Sequence, residues 1–350
     1  MKKIIQIEPW IDKRELKELK RVIKSTFVSE NKLNEEFQDS IKQITGSKYA
    51  VSMTNGTAAI FCALKALGVG EGDEVIIPNL TFIASANAVI FAGATPVLCD
   101  VNEKSLCMSS EDVLKVITPK TKAIMPVHLY GQSCDMDSLL DLAKKYNLKI
   151  IEDAAQGMGV LYKGRHVGTF GDVGILSFYA NKTITCGEGG VVLSADEKII
   201  QDCYKMKNHG RSKKGVFVHE SIGFNFCFTE MQAAIGVSQL KKLKKVIDKK
   251  NKIHNFYLKN INNNLLREIP FDENTTPVHW FTSFLTDYKE DFFYPLHKQP
   301  CYQNSDLVDC SVDLPVSEKL YNCGVSLPSS YNITKKELSR VCEVINDFTI

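Results

Sequence analysis

The sequence predicts an α/β protein in which helices cover both faces of a mixed, mostly parallel β-sheet. The first observation is its length, because 350 residues are too many for one simple core and fit two domains. The second is a regular alternation, between residues 49 and 153, of short apolar runs with segments of helical periodicity. Such alternation requires crossover connections, and these produce a largely parallel sheet between layers of helices.

The individual elements follow from local patterns. Two helices, at residues 12–24 and 34–44, come first because their apolar residues recur at helical spacing. The alternating region then predicts strands at 49–53, 74–78, 96–100, 123–127 and 149–153, and helices at 57–67, 81–92, 110–116 and 136–146. A further strand is predicted from Val173 to Tyr179. A lysine-rich helix at 239–251, whose lysines we expect to form a solvated face, leads from a large domain (1–239) into a small one (240–350).

Composition excludes several classes of function. The net charge of +2 gives no electrostatic reason to expect a nucleic acid or an anionic membrane as a partner. The eleven cysteines are scattered without a Cys-x-x-Cys pair, which indicates reduced thiols rather than disulfides or a zinc site. The basic start of the chain lacks a sustained apolar run, so we expect no signal peptide and a cytoplasmic protein.

The most informative stretch follows the strand from Val173. Lys182 comes shortly after that strand, and Gly187-Glu-Gly-Gly190 follows it. Closely spaced glycines permit a tight turn and leave room beside the lysine. A desolvated lysine loses its proton more easily and can act as an amine nucleophile. Since a lone lysine in a loop is usually a solvated surface residue, its neighbours must decide between the two interpretations.

Other polar groups fall at the carboxyl ends of predicted strands, where ligands of such sheets bind. The turn Thr54-Asn-Gly-Thr57 opens a helix, and its N-terminus is either a phosphate site or only a capped end. Asp153 ends a strand and either caps the next turn or faces a cationic ring nitrogen. Phe82 is either a core aromatic or a ring that stacks on a flat ligand.

These four features together match the needs of pyridoxal phosphate. That cofactor requires an anchored phosphate, a partner for its pyridine nitrogen and a lysine for its aldehyde. No metal constellation competes, because the seven histidines lack ligand spacing. No Gly-x-Ser-x-Gly or phosphate-loop signature is present either.

Several motifs make the chain resemble the DegT/DnrJ/StrS-type nucleotide-sugar aminotransferases, particularly the 4-aminotransferases of 4-keto-6-deoxyhexoses. The resemblance covers nearly the whole chain and lies in Thr54-Asn-Gly-Thr57, Gly72-Asp-Glu-Val-Ile-Ile-Pro78, Glu152-Asp-Ala-Ala-Gln156, the stretch around Lys182, Gly223-Phe-Asn225, Gln232-Ala-Ala234 and Phe293-Tyr-Pro-Leu-His297. It implies an aspartate-aminotransferase-like fold (pyridoxal phosphate fold type I) and a homodimer with shared active sites.

The resemblance also implies roles for individual residues. Lys182 matches the Schiff-base lysine and general acid/base, and Asp153 matches the partner of the pyridinium nitrogen. Gln156 matches a residue lying against the cofactor ring, and Phe82 matches the stacking aromatic. Phosphate contacts are implied for Gly56, Thr57, Ser177 and, from the partner subunit, Asn225.

The expected reaction moves an amino group from L-glutamate to the C4 keto carbon of a nucleotide-linked 4-keto-6-deoxyhexose. The product would be a 4-amino-4,6-dideoxyhexose of the perosamine or viosamine type. Transfer to C3, and a catalytically idle protein that binds the cofactor, remain as alternatives. Two departures from the family concern Cys227, which replaces an arginine, and the segment 281–291, which is shortened. The small domain is therefore expected to be trimmed and less rigid.

Overall fold

The computed structural model describes residues 3–213, 215–287 and 292–348. Its strands are β1 (Tyr49–Met53), β2 (Glu74–Pro78), β3 (Thr95–Cys99), β4 (Thr121–Ile124), β5 (Lys149–Asp153), β6 (Leu161–Tyr162), β7 (Arg165–His166), β8 (Val173–Ser177), β9 (Gly190–Ser194), β10 (Arg267–Glu268), β11 (Thr275–Thr276), β12 (Thr282–Leu285) and β13 (Gly324–Leu327). Its helices are α1 (Lys13–Ser25), α2 (Lys32–Thr45), α3 (Gly56–Ala66), α4 (Ala84–Phe91), α5 (Ser110–Leu114), α6 (Met136–Tyr146), α7 (Glu197–Lys207), α8 (Glu230–Leu240), α9 (Leu243–Asn260), α10 (Pro300–Gln303), α11 (Pro315–Cys323) and α12 (Lys335–Asn346).

Seven strands form the central sheet, in the order β1-β9-β8-β5-β4-β2-β3. β9 runs antiparallel to both of its neighbours, whereas the pairs from β8 to β3 are parallel. The predicted mixed, mostly parallel sheet is therefore confirmed. β1, β2 and β5 have the predicted bounds, and β8 ends at Ser177 rather than at Tyr179.

Both faces of this sheet are buried, which explains why its strands are continuous apolar runs. In β2, Val75 and Ile77 belong to the core on the side of α3, α4 and α7. Ile76 between them belongs to the core on the side of α2, α6 and α8. This alternation is the two-residue period of a strand. Because β8, β5, β4, β2 and β3 run parallel, their carboxyl ends lie at one rim of the sheet.

The C-terminal part of the chain forms a smaller layer. β10, β12 and β13 make a three-stranded antiparallel sheet. Phe284 of β12 shares a core with Tyr257 of α9 and Leu338 of α12. The shortened segment 281–291 thus keeps one strand, β12, while its residues 288–291 lie outside the described residues.

The helix predicted at 239–251 is wrong in its bounds and in part of its exposure. α8 ends at Leu240 and α9 begins at Leu243, so the chain bends at the two lysines between them. Lys242 is buried there, with its Nζ 2.6 Å from a Glu15 oxygen and 3.3 Å from an Asp12 oxygen. These carboxylates of the α1 end compensate for its lost hydration. Lys250 is buried as well, so these two lysines do not belong to a solvated face.

Two further expectations concern the chain as a whole. All eleven cysteines are free thiols, as their spacing predicts. Among the described residues, no helix has both the length and the apolar character needed to cross a membrane.

Candidate active site

A cavity of about 860 Å³ opens at the carboxyl ends of the central strands. Seven of the eight residues predicted for the site line it, namely Gly56, Thr57, Phe82, Asp153, Gln156, Ser177 and Lys182. These residues come from strand ends, loops and a helix start that are far apart in sequence. The sheet therefore brings the predicted phosphate, ring and lysine groups together.

Asp153 is the last residue of β5 and is buried at the floor of this cavity. The Ser85 hydroxyl donates to its Oδ2 at 2.8 Å, and the Ala155 N–H donates to its Oδ1 at 3.1 Å. No lysine, arginine or histidine in the described part of the chain forms an ion pair with it. A buried carboxylate without a cation is costly, so this one suits a ligand that brings a positive charge.

The neighbouring acid, Glu152, has a different task. Its carboxylate accepts hydrogen bonds from the His128 ring, from the Gly168 N–H at 2.6 Å and from the Gly171 N–H at 2.7 Å. Successive residues of a strand point to opposite sides. Of the two adjacent acids, Glu152 therefore holds a loop in place and Asp153 serves the cavity.

Lys182 lies half-buried in the loop after β8. Its Nζ is 4.5 Å from the centroid of the Trp280 ring. Burial lowers the pKa of Lys182 to about 8, although the Asp153 carboxylate acts in the opposite direction. About one-tenth of such a side chain is neutral at pH 7, far more than for an ordinary lysine. Its amine is thus suited to nucleophilic attack and to proton transfer.

The N-terminus of α3 forms a cradle for an anion. Asn55 caps it by accepting a hydrogen bond from the Ala58 N–H at 2.8 Å, which leaves the first helical N–H groups directed outward. A Cβ added to Gly56 would lie 3.3 Å from the Ser177 hydroxyl oxygen, so this hydroxyl stands beside the cradle. At Gly190 a Cβ would lie 2.3 Å from the Asn55 carbonyl oxygen, and only glycine fits. A helix N-terminus with a hydroxyl beside it suits phosphate.

Two flanking side chains complete the predicted set. Gln156 is buried, and its Oε1 accepts a hydrogen bond from the Tyr130 N–H at 2.9 Å. Phe82 is 56% exposed although it is a large apolar ring. Its ring centroid is 6.0 Å from that of Phe293. An exposed ring at a cavity wall suits stacking on a flat ligand.

Asn225 is the predicted site residue that this chain does not bring to the cavity. It is exposed, while its neighbours Phe224 and Phe226 both line the cavity. Cys227 also lies outside the lining, and its Sγ is 3.4 Å from the Lys207 carbonyl oxygen. The position of Asn225 within one chain thus differs from that of the other predicted phosphate contacts.

Sequence reasoning missed several lining residues, among them Trp280, Asn181, Glu188 and Phe293. Burial raises the pKa of Glu188. Trp280 and Phe293 come from the C-terminal part, and they cover Lys182 and Phe82 respectively; we call them the roof of the cavity. The only local signal for Trp280 was its rarity, since the chain has two tryptophans.

The residues present fit pyridoxal phosphate. A buried carboxylate without a cation, an anion cradle at a helix N-terminus and a lysine of lowered pKa line one cavity. Such a donor set matches the ring nitrogen, phosphate and aldehyde of that cofactor. The described residues contain no group of His, Cys, Asp and Glu that could hold a metal ion.

Comparisons with known proteins agree with this chemistry. The model of the DegT/DnrJ/EryC1/StrS aminotransferase family matches residues 9–346. The chain is 37% identical to the GDP-perosamine synthase of Escherichia coli O157:H7, over 99% of each chain. It is 36% identical to the GDP-perosamine synthase of Vibrio cholerae, over 97% of this chain and 98% of the relative.

Solved structures share the fold. The aminotransferase from Psychrobacter cryohalolentis superposes with a TM-score of 0.90, at 30% identity and over 97% of each chain. The expected aspartate-aminotransferase-like fold is confirmed by such neighbours and by the strand order of the central sheet.

Proposed function

Because the chain belongs to the DegT/DnrJ/EryC1/StrS aminotransferase family, we propose that it is a pyridoxal phosphate-dependent nucleotide-sugar aminotransferase. It transfers an amino group from L-glutamate to the C4 keto carbon of a nucleotide-linked 4-keto-6-deoxyhexose. The product is a 4-amino-4,6-dideoxyhexose of the perosamine or viosamine type. The observation that carries the proposal is the presence in one cavity of Lys182 and of the Asp153 carboxylate, which is hydrogen-bonded but forms no ion pair with a described residue.

Each predicted residue has a task in this proposal. Gly56, Thr57 and Ser177 would hold the cofactor phosphate, and Phe82 and Gln156 would contact its ring, since all five line the cavity. When bound, pyridoxal phosphate supplies an electron sink for bond breaking at the carbon that carries nitrogen.

The protein's own residues then manage charge and protons. Asp153 provides the negative charge that keeps a bound ring nitrogen protonated, and Ser85 fixes the orientation of its carboxylate. Lys182 accepts a proton at Nζ and returns it, since burial lowers its pKa to about 8, near the working pH. Trp280 covers Lys182 and excludes water from it.

The choice of C4 rests on the relatives. Both GDP-perosamine synthases match this chain over nearly its whole length. The matched lengths include the C-terminal part that supplies Trp280 and Phe293 to the cavity. These relatives support a 4-keto sugar as substrate, while the nucleotide is left to experiment.

The test is product analysis. Purified protein with pyridoxal phosphate and L-glutamate is offered GDP-, UDP- and dTDP-linked 4-keto-6-deoxy sugars and their 3-keto isomers. Mass spectrometry detects amine formation, and NMR assigns the carbon that carries it. We expect nitrogen at C4 with one of the 4-keto sugars. Nitrogen at C3 would establish the C3 alternative, and an absorbance spectrum unchanged by glutamate would establish the idle protein.

The proposal includes a homodimer with shared sites in the cytoplasm, and a large domain (1–239) joined to a small one (240–350). Large apolar side chains are exposed on the segment that leads to Phe224, with Phe217 at 80% and Ile222 at 91% exposure, and these support a covered interface. Asn225 on the same segment is free to reach a partner's phosphate site. The free thiols support a reducing compartment.

A mixed dimer tests the sharing. Lys182→Ala and Asn225→Asp chains carrying different tags are co-expressed, and the mixed species is isolated. If sites are shared, one site receives both intact residues, and activity near half of wild type is expected. A mixed dimer without activity, when Asn225→Asp alone is inactive, places Asn225 in the site of its own chain.

A further inference from the structure

Trp280 connects the C-terminal layer to the loop that carries Lys182. Its indole is 3% exposed, and the ring lies 4.5 Å from the Lys182 ammonium. Its Nε1–H donates to the Asn181 carbonyl oxygen at 2.6 Å. One side chain therefore both covers the lysine and holds the backbone next to it.

Trp280 is itself held by a buried lysine of α9. Lys250 is 4% exposed, and its Nζ donates to the Trp280 carbonyl oxygen at 2.7 Å and to the Ser329 carbonyl oxygen at 3.3 Å. No carboxylate in the described ranges forms an ion pair with it. Burial lowers its pKa to about 7, which shows how unfavourable its charged form is in this place.

The other buried lysines among the described residues, Lys242 and Lys207, each form an ion pair with a carboxylate. Lys242 contacts the Glu15 carboxylate at 2.6 Å, and Lys207 contacts the Glu30 carboxylate at 2.8 Å. Burying a lysine that has only carbonyl partners costs stability, and an apolar side chain of similar length would avoid that cost. The difference suggests that Lys250 serves the position of Trp280 rather than stability.

We propose that Lys250 is a positioning residue for Lys182, which acts by fixing the carbonyl of Trp280 and so the indole that covers the Lys182 amine. The inference deepens the proposed aminotransferase function, because it concerns how that site keeps its lysine dry and oriented. Lys250 touches neither substrate nor cofactor in this role.

The proposal has a measurable consequence in the protein without cofactor. If the indole loosens, water reaches Lys182, desolvation weakens, and the pKa of Lys182 rises toward that of an ordinary lysine. A rise of one unit makes the neutral, reactive amine about tenfold scarcer at a fixed pH below the pKa. If Lys250 had a purely structural role, its replacement would lower the stability of the fold but would leave the reactivity of Lys182 in the folded protein unchanged.

The chain offers a matched control on the same helix. Lys249 is half-buried, and its Nζ also donates to a backbone carbonyl, that of Ile333, at 3.1 Å. Ile333 belongs to the core between α9 and α12 and does not line the cavity. Lys249→Met thus removes a comparable hydrogen bond from the same element without disturbing Trp280.

The experiment compares the full-length Lys250→Met and Lys249→Met proteins, freed of cofactor, with wild type. Competitive acetylation with acetic anhydride at pH 7 to 10, read by mass spectrometry of the Lys182 peptide, gives the reactivity of this one amine. We expect Lys250→Met to reduce Lys182 labelling at pH 7 about tenfold, and Lys249→Met to leave it as in wild type. Equal labelling in the folded Lys250→Met protein overturns the proposal.

A second readout follows the indole. In a Trp10→Phe background Trp280 is the remaining tryptophan, because the chain has two. Its emission should shift to longer wavelength in Lys250→Met, because a loosened indole meets water, and an unchanged emission contradicts the proposal.

If Lys250→Met does not fold, Trp280→Phe tests the step of the proposal that leads from the indole to Lys182. It keeps a ring but removes the Nε1–H donor, so the same loss of Lys182 labelling is expected, and normal labelling overturns the proposal. Neither readout requires turnover. If the variants show these effects while the wild-type protein aminates no keto sugar, the proposed function alone is contradicted.

Discussion

The floor and the roof of the cavity are built on different principles. The floor consists of residues at the strand ends, and its polar groups are paired, as Asp153 and Gln156 show. The roof consists of Trp280 and Phe293, and it rests on α9 and the segment before β12. Seven buried side-chain polar atoms lack a hydrogen-bond partner among the described residues. Five of them lie in the C-terminal part, on α9 and from β11 to β12, and these are Asn251 Oδ1, His254 Nδ1, Thr275 Oγ1, His279 Nδ1 and Thr282 Oγ1. The other two, Gln132 Oε1 and Asn181 Oδ1, lie in the loops after β4 and β8.

This difference between floor and roof indicates which residues determine turnover and which determine stability. A paired floor on a sheet that is buried on both faces is rigid before any ligand binds. Unpaired buried atoms cost free energy, so the region below the roof is held less firmly. Changes in the floor should therefore affect turnover more than folding, and changes near the roof should affect folding and pH dependence.

The largest expected effect tests the floor side of this comparison. Lys182→Ala removes the amine that we propose transfers the proton, and activity should fall by about a thousandfold or more. The melting temperature of the cofactor-free protein should stay within a few degrees, because Lys182 is half-buried and makes no ion pair with a described residue. Steady-state assays and thermal melts measure both. Turnover above a few percent of wild type would remove Lys182 from its role.

Asp153→Asn should have the next largest effect. The shape is kept, but the negative charge that we propose holds a bound ring nitrogen protonated is lost, so the rate should fall about a hundred- to a thousandfold. Stability of the cofactor-free protein should change by less than about 1 kcal/mol, since the wild-type carboxylate has no cation to lose. Ser85→Ala serves as the control that removes one donor to Asp153 and keeps its charge. A loss below about tenfold would show that Asp153 does not face the ring.

The floor was predictable from sequence because each of its groups belongs to a local pattern. Asp153 ends an apolar strand, Thr57 opens a helix after Asn-Gly, and Lys182 precedes clustered glycines. The order of parallel strands then brings such ends to one rim. Ser85 went unnoticed because a serine in a helix carries no such signal.

The roof was not predictable by the same reasoning. Trp280 reaches Lys182 from 98 positions further along the chain, through short strands with little periodicity. The helix predicted at 239–251 failed because Lys242 leaves the solvent to meet Glu15 and Asp12, a tertiary pairing that helical periodicity does not encode. The burial of Lys250 beside carbonyl groups could not be predicted either, because sequence patterns assign lysines to the exposed surface.

Gly131→Ala tests the joint between floor and roof. Gly131 has φ of +84°, and a Cβ there would lie 1.9 Å from the Val278 carbonyl oxygen, two residues before Trp280. We expect a loss of about 3 kcal/mol or more in urea unfolding, from backbone strain and overpacking together. Gly46→Ala is the matched control, because Gly46 has φ of +76° and nothing within 4 Å of its added Cβ. It should cost only about 1–2 kcal/mol. Equal losses in the two variants would mean that the joint is not tight.

The smallest expected effect concerns acid stability near the roof. His254 and His279 stack with ring centroids 3.6 Å apart, and neither Nδ1 atom has a hydrogen-bond partner within 3–213, 215–287 and 292–348. Burial lowers the pKa of His254 to about 4, with the Glu268 carboxylate 3.8 Å from its Nε2. Burial, with His254 and Lys250 nearby, lowers the pKa of His279 to about 3.

The sign of the pH effect follows from these lowered values. Well above pH 6.5 both histidines are neutral in the folded and unfolded chains, and they add no pH dependence. As the pH falls from 6.5 toward 4, the unfolded chain binds protons that the folded chain excludes, so stability is lost.

His279→Phe keeps a stacked ring and removes one of the two histidines that exclude protons in the folded chain. The free energy of unfolding should therefore fall less in this variant than in wild type between pH 7 and pH 5, by about 1 kcal/mol after discounting for solvent screening. His166, in β7 beside the floor, has its pKa lowered to about 4 by burial, but its Nε2 accepts from the Gly159 N–H at 2.9 Å. His166 is unchanged in the variant and so forms the common background of both proteins. If urea titrations at the two pH values give the same loss for His279→Phe and wild type, the histidine pair is not the acid-sensitive part of the roof, and the contrast with the floor fails at that point.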